Sequence, residues 1–278
     1  MKTIVSRNIA MYRKEAGITQ AELAEKLNLT YQAVSKWETG QSLPDVATLP
    51  LLAQILDISV DKLLGYNAAR KDTSYYENIY DDSDDYYWGV NPSSMCLKAI
   101  ALKPPGERIK VLDIACGEGK DAVFFARAGY DVDAFDIIDK GVEKTKRLAD
   151  KARVHVNVFK ANISDYRLDT MYDIIYSSGA LHYIKPQLRD EILTNYRSHT
   201  AEGGLNVFNV FVDKPFIPPA PENEENSFLW FSGELLVYYN DWFIEDFYET
   251  VFECDSSGIK HNHAMNVMLA KRLSTTGD

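Results

Sequence analysis

The chain is poor in the features that send a protein into a membrane or out of a cell. No apolar run reaches the roughly 18 residues that a spanning helix needs, which excludes a membrane-embedded protein. Cys96, Cys116 and Cys254 are its only cysteines. Their odd number and wide spacing fit neither a disulfide framework nor a zinc knuckle, and they agree with a reducing compartment. Met1-Lys2-Thr3 leads straight into a mixed polar helix, not into the apolar core of a secretory signal. A cytoplasmic location with no membrane partner is therefore expected. Basic residues are in deficit: 30 Lys and Arg face 41 Asp and Glu, a net charge of −11. The deficit is uneven, because residues 1–66 hold seven of each sign and the rest carries the whole excess. An acidic body repels nucleic acid, so DNA binding would have to come from a local patch in the first 66 residues.

What is present is enough for two domains: 278 residues, 46% of them apolar. Five short helices can be read between Ile4 and Tyr66. Thr19 is placed to cap the second, with Glu22 three residues on as a capping box. Leu23 and Leu27 share one face of it. Asn28-Leu29 makes a tight turn, Thr30 caps the third helix and Gly40 ends it. Val34 and Trp37 face inward. Two helices on a short turn, the second polar on its outer face, make a helix-turn-helix. "GITQAELA", "VSKWETG" and "PD", in register, resemble the Cro/phage-repressor (XRE) family over residues 4–66. The resemblance implies binding of double-stranded DNA by a homodimer on two half-sites. It puts Tyr31, Gln32 and Lys36 at base edges, Thr30, Ser35, Gln20 and Arg13 near phosphates, and an ion pair between Arg13 and Glu38.

Residues 67–90 read as an acidic, aromatic linker. Asp81 to Asp85 lacks the glycine and closing glutamate of a calcium loop, so a solvated charge run is expected. Tyr86-Tyr87-Trp88-Gly89 either packs on the domain that follows or forms a lid over a cofactor, with Trp88 as the contact.

From residue 91 to 278 the pattern alternates strands and helices. "RIKVLDI" is a strand, Ala115-Cys116-Gly117-Glu118-Gly119 a turn, and a helix and a second strand ending in Asp136 follow. This is the opening of a Rossmann-like fold: glycines admit a ligand to bare backbone, and an acid waits for ribose hydroxyls. Gly117, Gly119 and Ala122 even satisfy G-x-G-x-x-A, the dinucleotide fingerprint. Charge opposes that reading. Asp113, Glu118 and Asp121 surround the place a pyrophosphate would take, at about 1 kcal/mol or more each when partly buried.

"VLDIACGEGKDAVFFARAGYDVDAFDI" resembles the first motif of class I S-adenosylmethionine-dependent methyltransferases, with Ala115 where a glycine is usual. That family has a seven-stranded, mostly parallel α/β sheet with an antiparallel last strand, here "GIKHNHAMNVMLAKR". The resemblance implies S-adenosylmethionine held by Trp88, Asp113, Ala115, Cys116, Gly117, Gly119, Asp136, Ile137, Asn162, Ile163, Ser177 and Gly179. "GELLVYYNDWFIEDFYETVF" and the closing "MLAKR" narrow the likeness to the tellurite-resistance (TehB-like) group. They imply a small acceptor such as a thiol or a tellurium or selenium oxyanion. His182 is the best-placed base, with Tyr183 beside it. His261 and His263 share one face of the last strand but lack a third ligand, so no metal is expected. The fusion reads as a small-molecule methyltransferase acting in transcriptional regulation. The alternative is a regulator whose methyltransferase-like part senses ligand or S-adenosylmethionine without turnover. "SSGALH" after the fourth strand lacks the motif that amino methylation of DNA bases needs.

Overall fold

A computed structural model describes residues 2–64, 74–80, 85–220, 227–254 and 259–274, and it divides the chain into two compact units, Met1–Lys71 and Asp72–Asp278.

The first unit holds the five expected helices, α1 (Lys2–Glu15), α2 (Gln20–Lys26), α3 (Tyr31–Glu38), α4 (Leu49–Ile55) and α5 (Val60–Leu64). Local chemistry sets their ends. Thr19 accepts the Glu22 amide, and the Glu22 carboxylate accepts the Thr19 amide at 2.7 Å, a closed capping box. Asn28 supplies the left-handed turn between α2 and α3 (φ 55°), and the Thr30 hydroxyl caps α3. Ile9, Leu23, Val34, Leu52 and Leu63 are fully buried, and Trp37 joins them, as its spacing predicts. Arg13 and Gln20 converge on Glu38. The Arg13 guanidinium donates to Glu38 at 2.6 and 3.0 Å and to the Ile18 carbonyl, and Gln20 donates to Glu38 at 2.6 Å. These bonds form the expected ion pair and orient both side chains within the unit.

The second unit is built on a seven-stranded sheet ordered β3-β2-β1-β4-β5-β7-β6. The strands are β1 (Lys110–Ile114), β2 (Asp131–Asp136), β3 (Asn157–Lys160), β4 (Tyr172–Ser177), β5 (Thr200–Val212), β6 (Phe243–Cys254) and β7 (His261–Lys271). The first five run parallel, and β7 inserts antiparallel between β5 and β6. This is the expected Rossmann-like order. Successive residues of β1 point to opposite faces, Val111 into one apolar core and Leu112 into the other. Burial on both faces explains why β1 reads as a continuous apolar run. Strand order reverses between β1 and β4, and such reversals open a crevice at the carboxyl ends of the strands.

Around the sheet lie α6 (Ser74–Ile79), α7 (Ser94–Leu102), α8 (Lys120–Ala128), α9 (Asp139–Ala152), a short 3-10 turn (Leu181–Tyr183), α10 (Pro186–Ser198) and α11 (Glu234–Val237). Of the stretch read as a linker, residues 74–79 form α6 and residues from Asp72 onward belong to the second unit. Residues 67–73 and most of the acidic run, 81–84, lie outside the described residues.

Glu38 is the common acceptor of the first unit. Burial pushes its carboxyl up, but the bonds from Arg13 and Gln20 outweigh that and hold it below the ordinary range. The linked stability is present above the unfolded carboxylate's value and is lost as pH falls through the lowered folded value. Glu38→Gln is expected to lower protection of the α3 amides in native-state hydrogen exchange by about 2 kcal/mol at neutral pH. The difference from the parent should shrink on acidification.

Candidate functional site

The crevice is a cavity of about 570 Å³ at the carboxyl ends of β1, β2, β4 and β5, within the usual range for a small-molecule site. Its floor is the turn after β1. Ala115, Gly117 and Gly119 all have positive φ (54°, 58° and 84°), so three residues in five adopt a conformation that favours glycine. Ala115 holds it against the steric penalty of its methyl group. Gly119 faces not the ligand space but α9: an added Cβ would meet Thr145 at 2.5 Å. At Gly141 an added Cβ would meet the Gly117 carbonyl oxygen at 2.8 Å, and that oxygen also accepts the Thr145 hydroxyl. Gly119 thus shapes the turn from behind rather than lining the cavity.

Trp88, Asp113, Ala115, Cys116, Gly117, Asp136, Ile137, Asn162, Ile163, Gly179, His182 and Tyr183 line the cavity together. Ser177 does not. It is fully buried, and its hydroxyl donates to the Ile114 carbonyl at 3.1 Å, so it bridges β4 to β1. Asp136 accepts the Gly117 amide on one carboxylate oxygen (2.8 Å) and the Ile138 amide on the other (2.9 Å). The Ile137 amide bonds to the same carboxylate. Burial nonetheless pushes the Asp136 carboxyl up, partly offset by those amides. Asp113 is pushed up further, by burial and then by the negative charges of Asp121 and Asp136; Lys120 offsets part of this. Burial and the same carboxylates raise the Cys116 thiol, which makes it an inert wall rather than a nucleophile.

Two acids named in the charge argument against a pyrophosphate prove to be compensated. Glu118 is paired with Lys144 at 2.8 Å, their side chains 1% and 2% exposed. Asp121 accepts the Tyr176 hydroxyl and the Ser93 amide, each at 2.7 Å. Of these acids only Glu118 is neutralised by an ion pair among the described residues; Asp113, Asp121 and Asp136 are held by hydrogen bonds alone, Asp113 by the Ala122 amide. Lys144 also donates to the Asp85 carbonyl (2.6 Å), and Glu118 accepts the Trp88 amide (3.2 Å). The aromatic strap 85–89 is thereby tied across the turn. The Trp88 indole N–H donates to the Tyr80 hydroxyl, which sits against Gly117. Tyr76, on α6, meets the Tyr183 hydroxyl at 3.0 Å.

His182 is buried against the rings of Tyr183 (4.2 Å) and Phe211 (4.6 Å). Its Nδ1 has no hydrogen-bond partner among the described residues. Burial, then His263, depresses its pKa to about 3. It is neutral at any working pH and a weak proton acceptor, which weakens its expected role as a base. Sequence reasoning missed Tyr76, Tyr80, Lys144 and Thr145. None of them carries a local motif, and each enters through a long-range contact.

In the first unit α3 presents Tyr31, Gln32 and Lys36 outward, with Tyr31 52% exposed. Ser35 is half-buried, and the Thr30 hydroxyl accepts the Ala33 amide.

Residues 71–268 match the profile of the family described as tellurite resistance protein TehB. The chain belongs to the TehB family. Residues 9–63 match the helix-turn-helix profile, so a helix-turn-helix domain precedes the TehB domain. A Haemophilus influenzae protein, named as a probable S-adenosyl-L-methionine-dependent methyltransferase TehB, is 26% identical over 59% of this chain and 57% of its own length. The chain thus spans little more than half of that curated relative. The crystal structure of TehB from Haemophilus influenzae superposes with a TM-score of 0.58 at 23% identity, over 73% of this chain and 67% of that one, which shows the shared fold. At the other end, a Bacillus subtilis protein named as the uncharacterized HTH-type transcriptional regulator YqaE is 41% identical over 21% of this chain and 51% of its own length. Among the described residues no helix of this TehB-family chain is long and apolar enough to cross a membrane.

The Lys144–Glu118 pair gives a sharp expectation for the TehB domain. Lys144→Met leaves a buried carboxylate alone and should destabilise the second unit by about 3–5 kcal/mol in urea denaturation. Adding Glu118→Gln should recover most of that loss.

Proposed function

We propose that the TehB domain transfers a methyl group from S-adenosylmethionine to a small, soft acceptor, and that the helix-turn-helix domain binds operator DNA and regulates transcription. The observation that carries the first half is the pair of buried carboxylates beside bare backbone. Burial holds Asp113 and Asp136 above the ordinary range, so a cation beside them favours their ionised form, whereas a pyrophosphate would drive them further toward the neutral one. A nucleoside with a sulfonium and an ammonium, and without phosphate, fits that field. The Asp136 carboxylate suits a ribose diol. Ile137, Asn162 and Ile163 line the same wall and suit the adenine. When bound, the cofactor supplies an electrophilic methyl group on sulfur.

The residues of the chain then have a positioning task. Trp88, Tyr80 and the tied strap exclude water above the turn. His182, neutral and half-walled by Tyr183 and Phe211, orients the acceptor without taking a proton. An acceptor that needs no base suits this: a thiolate or a tellurium or selenium oxyanion. Calorimetry with S-adenosylmethionine should give saturable binding, and Asp136→Ala should weaken it by at least about 100-fold, the loss of two hydrogen bonds to a charged group. Unchanged affinity would remove the ribose assignment. Thiols, selenite, tellurite and phenols are then assayed for methylated product. Binding without turnover on any of them would favour a sensor over an enzyme.

For the other domain, the outward residues of α3 support the reading. Gln32 is suited to adenine and Lys36 to guanine, with Tyr31 beside them. A homodimer places two such helices on two half-sites. Against an operator selected from random DNA, Gln32→Ala or Lys36→Ala should each cost about 1–3 kcal/mol and relax the preference at one position.

A further inference from the structure

The antiparallel ladder of β6 and β7 brings together three soft donors that lie apart in the sequence. Cys254 pairs with His261, and Phe252 with His263. His261 and His263 are two residues apart on one strand, so both rings stand on one face. The cysteine Sγ and one ring nitrogen of each histidine lie within 4.8 Å of one another. We propose that Cys254, His261 and His263 bind one zinc-class divalent ion, with the fourth coordination position open to the cavity.

Three features go beyond proximity. First, His261 Nδ1 lies 2.7 Å from the Ile259 carbonyl oxygen, so Nδ1 carries the proton and Nε2 carries the lone pair. A backbone carbonyl behind the ring is the usual orienting partner of a metal-bound imidazole. Second, His261 Nε2 and His263 Nε2 approach to 2.8 Å, a pair that needs a proton or a cation between them. Tetrahedral zinc, with its ordinary bond lengths, sets two such nitrogens roughly 3.3 Å apart, a small rotation from the arrangement seen. Third, the His263 ring is held by stacking on Phe211 at 4.9 Å and 16°, which fixes its direction before any ion arrives.

A set of two imidazoles and one thiol selects zinc, cobalt or copper over calcium or magnesium. Binding replaces the Cys254 thiol proton, which passes to solvent, with a metal–sulfur bond. Cys254 and His263 line the cavity while His261 stands behind them, so the vacant position faces the ligand space. Three protein ligands with an open fourth position is the pattern of a working rather than a structural zinc site, and the open position takes water, a thiolate or a soft anion. The site rests on its own geometry and stands whether or not methyl transfer is the activity.

The test uses the full chain, stripped by chelator dialysis and titrated with cobalt(II). One equivalent is expected to bind, with the intense visible bands of four-coordinate cobalt and a near-ultraviolet thiolate-to-cobalt band, and zinc should bleach both. Cys254→Ser should lose the thiolate band and Cys116→Ser should keep it. His261→Ala and His263→Ala should each weaken binding by more than about 10-fold. The proposal is overturned if folded protein, verified by circular dichroism, develops no thiolate band, or if the band survives Cys254→Ser.

Discussion

The ion pair between Glu118 and Lys144 is the constraint on which the arrangement of the cavity depends. Both charges are almost wholly removed from water, at a desolvation penalty of several kcal/mol per ion. Their mutual attraction offsets this only because the remaining valences are also used. Lys144 donates to the Asp85 carbonyl and Glu118 accepts the Trp88 amide. The pair therefore joins three pieces that are far apart in the chain: α9, the turn after β1 and the aromatic strap. Without it the strap would have to find other anchors over the turn, and the ligand space would lose part of its roof.

Neutralising Glu118 also decides the sign of the field. With Glu118 paired, the acids left beside the turn are Asp113, Asp121 and Asp136, the first and last of them raised by burial. Their burial makes that charge costly in the absence of a cation and favourable in its presence. The turn between them is made of backbone. Its conformation is forced by positive φ at Ala115, Gly117 and Gly119 and by close contact with Gly141 and Thr145 behind it. A rigid, bare and negative floor is the opposite of a pyrophosphate cradle, although the spacing of the glycines alone matches one.

Much of the fold is legible in the sequence because its determinants are local. The capping box at Thr19 and Glu22, the turn at Asn28 and the inward Trp37 are read within a few residues of each other. So are the apolar run of β1 and the turn that follows. The site is legible only as far as the same rule extends. Glycine at position 119 signals close approach, which by sequence alone points to the ligand. The close approach exists, but the partner is Thr145 of α9. Ser177 follows the same logic, since a small polar residue at a strand end serves equally to tie β4 to β1. The bonds from Arg13 and Gln20 to Glu38 span 25 and 18 residues, and the second has no local signal in the sequence. Tyr80 and Lys144 reach the turn after β1 across tens of residues, and no spacing rule reaches that far; Cys254 meets His261 through the register of β6 and β7.

The character of the acceptor follows from the same economy of charge. A cavity that holds two carboxylates above their ordinary range and a histidine at about 3 disfavours the creation of new charge on its walls. Proton abstraction by His182 would create an imidazolium in a place where burial and the neighbouring His263 both oppose it. A neutral hydroxyl or a protonated amine therefore finds no effective base there. A nucleophile that arrives already ionised or strongly polarisable needs none, and aromatic walls such as Phe211 and Tyr183 accommodate polarisable atoms through dispersion. The proposed preference for soft acceptors thus rests on what the walls resist and does not require a dedicated catalytic side chain.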